Sequence, residues 1–116
     1  ITSPKYDHPE LNARIEVFCL RYRLPVTDTH SLQLAVEELL NLIPLDNGVS
    51  LVLTKSDKGL ELEATLERGE HPYLSDEYIK DDLSYSILKG LCDKIEEDIN
   101  EMNETIIRMT IRQITN

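Results

Sequence analysis

Apolar positions recur along the chain with two different periods. Between Glu10 and Tyr22, Leu11, Ile15, Phe18 and Tyr22 fall at i, i+4, i+7 and i+11, one stripe of a helix that Pro25 ends. Thr27-Asp28-Thr29-His30 offers capping chemistry for a second helix over about His30 to Ile43. Leu32, Leu34, Ala35, Val36, Leu39, Leu40, Leu42 and Ile43 cover most of that helix, which predicts packing on more than one side. Its polar residues are few: Gln33, Glu37, Glu38 and Asn41. The period then changes to two. Val49, Leu51 and Leu53 share one face of a strand, and Ser56-Asp57-Lys58-Gly59 reads as a hairpin turn. From Leu60 to Glu67, Leu60, Leu62, Ala64 and Leu66 alternate with Glu61, Glu63, Thr65 and Glu67, an antiparallel strand with one wet face.

Residues 68–80 carry Gly69, Pro72 and several charges and read as a loop. Asp81 to about Asn100 reads as a third helix, with a stripe of Leu83, Ile87, Leu91 and Ile95 and a solvated face at Glu96, Glu97 and Asp98. Glu104 to Ile114 reads as a last strand, Ile107, Met109 and Ile111 inward and Arg108, Thr110 and Arg112 outward. Ile1 to Ser3 makes a short edge strand before Pro4. The expected fold is α+β: a two-layer α/β sandwich in the order (β)ααββαβ, three helices covering one face of a mostly antiparallel mixed sheet.

At 116 residues the chain suits a single domain, 1–116. It begins at Ile1 rather than Met, as would a segment cut from a longer protein. With no Trp and one Phe, the core must be aliphatic. The formal charge is −10, a poor match to a phosphate backbone, so nucleic acid is not expected as a partner, whereas a protein partner is. No apolar run approaches about 18 residues, so membrane insertion by this segment is not expected. Cys19 and Cys92 fall on apolar helical faces and read as reduced core thiols of a cytoplasmic protein. His8, His30 and His71 stand apart from any metal-ligand spacing.

Glu37 and Asn41 lie four residues apart on one helix face. A carboxylate can act as a general base and an amide oxygen is a hard ligand for Mg²⁺, the two kinds of group that phosphoryl chemistry asks for. In context, Ala35-Val36-Glu37-Glu38-Leu39-Leu40-Asn41-Leu42-Ile43 resembles the N-box helix of GHKL (Bergerat-fold) ATPases, and within them that of the anti-sigma-factor serine/threonine kinases. The order of elements is similar over essentially the whole chain. The resemblance implies Mg-ATP as cofactor, Glu37 as catalytic base and Asn41 as the Mg²⁺ ligand. It also implies pairing of two copies into a homodimer.

The chain departs from the family at two places. Where an Asp-x-Gly-x-Gly box would contact adenine stands Thr65-Leu66-Glu67-Arg68-Gly69-Glu70, in which Glu67 is the one stand-in for the adenine acceptor and Gly69 the one matching glycine. Where a glycine-rich segment would meet phosphates at a helix start stands Lys80-Asp81-Asp82-Leu83-Ser84-Tyr85-Ser86, without glycine and with two acids that favour a helix start and repel a polyphosphate. The expectation is a degenerate regulatory or protein-interaction domain with weak or no ATP binding. An active Mg-ATP-dependent serine/threonine kinase or ATPase, and an unrelated α/β interaction domain, stay open as alternatives.

Overall fold

A computed structural model of the chain describes residues 2–3, 8–44, 48–57, 59–75, 79 and 82–113. Its elements are β1 (Thr2–Ser3), α1 (His8–Arg21), α2 (Val26–Leu42), β2 (Val49–Ser56), β3 (Gly59–Glu67), α3 (Leu83–Leu91), β4 (Cys92–Ile99) and β5 (Glu104–Ile111). The strands form one sheet in the order β1-β2-β3-β5-β4, and every pairing is antiparallel. The α+β class and the succession β, α, α, β, β, α, β are present, with one further strand between α3 and the last.

That further strand corrects the third helix. The span from 81 to 100 is not one helix: α3 ends at Leu91, and Cys92–Ile99 is β4, paired along β5. Leu83, Ile87, Leu91 and Ile95 have helical spacing, but Ile95, Glu97 and Ile99 also alternate, and the ladder to β5 decides for the strand. The connecting turn carries its own local chemistry. The Asn100 side-chain oxygen accepts from the N–H groups of Met102 and Glu104, and Asn103 takes φ +62°, a conformation that Asn tolerates. Leu83, expected in the stripe, is 75% exposed. Ile1 of the edge strand, Lys58 of the hairpin turn, Asp81 of the helix start and Ile114 of the last strand lie outside the described residues.

The other elements follow from local rules. α1 ends in a Schellman arrangement: Leu24 N–H donates to the Cys19 carbonyl, Arg23 N–H donates to the Leu20 carbonyl, and Arg23 sits at φ +55°. Tyr22 is consequently outside the core, its place in the buried stripe taken by Cys19 beside Leu11 and Ile15. α2 begins a turn earlier than its capping residues suggest. Pro25 is the N-cap, with no side-chain cap bond, and its carbonyl accepts from Asp28 and Thr29 N–H. At the hairpin Ser56 pairs with Gly59, which takes φ +117°.

The core lies between the sheet and the helices on one side of it. Leu60, Leu62, Ala64 and Leu66 of β3 and Ile107, Met109 and Ile111 of β5 meet Leu11, Ile15, Leu32, Val36, Leu39 and Leu88 from the helices. Glu61, Glu63 and Thr65 face the other way, as the alternation of β3 predicts. There Arg108 bridges Glu63 at 3.2 Å and Asp98 at 3.6 Å across three strands. Cys19 and Cys92 are buried free thiols. Among the described residues no helix is long and apolar enough to cross a membrane.

Candidate functional site

α2 is held by its apolar majority. Leu32, Ala35, Val36, Leu39 and Leu40 are buried, so the rotation of the helix is fixed and Glu37 and Asn41 are left exposed, with Glu38 half-buried. The structure therefore keeps the expected pair together on a wet face of α2. Among the described residues no group of three or more His, Cys, Asp or Glu side chains is gathered as a metal site.

Glu67 and Gly69 stand where β3 leaves the sheet. Glu67 is exposed, and its carbonyl accepts a 2.6 Å hydrogen bond from the Tyr73 hydroxyl. Gly69 lies under the Tyr73 ring: a Cβ built there would be 3.0 Å from ring Cζ and 3.1 Å from Cε1 and Oη. Where the resemblance would bring a nucleotide to Gly69, the chain has its own tyrosine. Burial pushes the Tyr73 hydroxyl above its usual pKa, and the negative charges of Glu67 and Glu97 add to the effect.

The third expected position is the start of α3. Asp82 is its N-cap, and its side chain accepts from Ser84 N–H at 2.8 Å while its carbonyl accepts from Ser86 N–H at 3.1 Å. A helix N-terminus binds phosphate through free N–H groups and positive dipole. Here an internal carboxylate already takes one of those donors and places negative charge at the same end. An anion brought to this end of α3 would meet the Asp82 carboxylate.

Two carboxylates that the sequence reading did not single out are the ones turned inward. Glu97, expected on a solvated helix face, lies on β4 and is half-buried, its two oxygens accepting from Tyr73 N–H and Leu74 N–H, each at 2.8 Å. Period-two alternation from Ile95 to Ile99 was the signal for its inward direction. Asp28, read as cap chemistry, is 1% exposed: Oδ2 accepts from the Gln113 amide at 3.1 Å and Oδ1 has no partner among the described residues.

Neither thiol is set up as a nucleophile. Cys92 is pushed up to about 11, mainly by burial, with Asp93 adding and Arg112 opposing. Burial also raises Cys19, opposed by a hydrogen bond from Thr29 and aided by Asp28 and Glu16. A cavity of about 640 Å³ opens at Ser50, Thr65, Glu67, Arg68, Met102 and Asn103, and neither Glu37 nor Asn41 lines it. Comparison of the chain with protein-family models, with curated proteins and with solved structures finds no match.

Proposed function

We propose that the chain is a non-catalytic regulatory or protein-interaction domain on an anti-sigma-kinase-like scaffold, with weak or no ATP binding. One observation carries this reading: both backbone positions that would receive a nucleotide are occupied by the chain's own side chains, Tyr73 over Gly69 and Asp82 on Ser84 N–H. The resemblance of residues 35–43 to the N-box is what suggests the scaffold. On this reading Glu37 and Asn41 are relics, the domain acts through protein contacts in the cytoplasm, and pairing into a homodimer is the first association to look for.

A ligand that binds only the native state must raise its melting temperature. Millimolar Mg-ATP is expected to leave the melting temperature unchanged and to give no saturable heat in titration calorimetry. Tight Mg-ATP binding would overturn the proposal and favour the second reading, an active serine/threonine kinase or ATPase with Glu37 as base and Asn41 on Mg²⁺. The exposed Glu37–Asn41 pair on one helix face favours that second reading. Under it, Asn41→Ala would abolish nucleotide-dependent turnover.

A further inference from the structure

β2 has eight residues, and β1 pairs with two of them, Val49 and Ser50. Beyond these, Val52 to Lys55 have β3 on one side and, among the described residues, no strand on the other. Successive residues of an antiparallel strand send their N–H and C=O to alternate sides, so half of this stretch presents donors and acceptors at the open edge. Its side chains are neutral or basic. Val52 is exposed, Leu53 is half-buried, and Lys55 is the one charge on β2. Along the edge, on the helix side of the sheet, runs a groove of about 330 Å³, lined by Leu11, Arg14, Ile15 and Phe18 of α1 and by Leu51 and Leu53 of β2.

We propose that this edge and groove are a docking site for an extended segment of a partner protein, which adds as a strand beside β2, places apolar side chains from alternate positions in the groove and brings a carboxylate among them to Arg14. Strand pairing supplies the affinity, and the groove selects the side chains. Charge selects the occupant. The chain is −10 overall, and the other described cavities have Glu67, Glu97 and Glu16 in their walls. The groove beside β2 has no acid in its wall and one guanidinium, that of Arg14. Arg14 is exposed and holds Glu10 at 3.1 Å through one nitrogen, which leaves donors for a second carboxylate. A second copy of the chain would offer β2 itself, which has no acid to give Arg14. The inference rests on the protein-contact half of the reading above and names the chemistry of the partner.

The probes are end-blocked peptides about seven residues long, with Val at odd positions and Thr at even ones, in which each Val in turn is replaced by Glu; a matching set carries Lys instead. At least one Glu peptide is expected to bind in titration calorimetry. On binding it should slow amide hydrogen exchange about tenfold at alternate residues within Val52 to Lys55, while β4 amides keep their rates. Its Lys counterpart should bind about fivefold more weakly, and Arg14→Gln, with wild-type circular dichroism, should lose that preference. N-methylation of the peptide's odd residues or of its even residues should abolish binding in one case and spare it in the other, since only one edge of the peptide meets β2. The docking site is overturned if no Glu peptide binds, if Glu and Lys forms bind equally, if both N-methylated forms bind, or if protection falls on β4. It is overturned too if the same amides slow on raising protein concentration without peptide, which would give the edge to a second copy. Mg-ATP on the wild type tests the nucleotide half of the earlier reading alone. Tight binding there together with a responding Glu peptide would remove the degenerate assignment and keep the docking site.

Discussion

At the start of β3, Gly59 lies beside Gln113, whose amide reaches the buried Asp28; at its end, Glu67 lies beside Tyr73, whose backbone reaches Glu97. Both ends thus have a carboxylate turned in from the surface. Asp28 is the more deeply buried and the less satisfied, with one bond and one unpartnered oxygen. Glu97 is only half-buried and uses both oxygens on N–H groups. Charge-assisted bonds of that kind are roughly twice as strong as neutral ones, while an orphaned buried oxygen carries its desolvation cost with no return. Burial and structural importance therefore run in opposite directions at the two ends.

The sharpest test of that contrast is Glu97→Ala, which strands two N–H groups and is expected to cost about 3 kcal/mol in urea unfolding. If Asp28→Ala costs as much, Asp28 Oδ1 has a partner in solution and the contrast fails. Next in size, Tyr73→Phe keeps the ring over Gly69 and loses one hydrogen bond, an expected loss of about 1 kcal/mol by the same measurement. Asp28→Asn removes the charge and keeps the shape, and its midpoint should move by about 0.5 kcal/mol or less, in either direction. A loss of several kcal/mol would show that the charge itself is needed.

A further expectation is a drift with pH. In the unfolded chain the Cys92 thiol ionises near 9.0, and in the folded one it is pushed up to about 11. Between these values the unfolded state has released a proton that the native state still holds, so stability falls as pH rises. The raised Tyr73 hydroxyl acts in the same direction. Urea midpoints measured from pH 8 to 11 should decline, and Cys92→Ala should flatten the decline. A flat wild-type profile would mean that Cys92 is solvated in the native state.

What could be read from the residues divides along the range of the interactions. The alternation of β3 is complete within nine residues, and all four of its apolar positions are buried as expected. α2 carries enough apolar positions that Glu37 and Asn41 had to face outward together. β4 was hidden because its first apolar residues extend the helical stripe of α3, and because the force that makes it a strand is pairing with β5 across the turn at Asn100 to Asn103. The candidate site divides in the same way. The Glu37–Asn41 spacing is local and legible. The filling of Gly69 by Tyr73 and the grip of Glu97 depend on a loop closing over a strand edge, and no spacing along the chain encodes that closure.

β4 ends the described sheet, and an outermost strand carries unpaired N–H and C=O groups that can template the strands of other chains. Five of its eight residues, Asp93, Lys94, Glu96, Glu97 and Asp98, are charged. Lining up a second copy against such a strand would bring acids against acids before any ladder formed. The residues that disguised β4 as a wet helix face are thus also its guard against fibril-like stacking, and replacing Glu96 and Asp98 with Thr or Val would remove that guard while leaving the inward face of the sheet untouched.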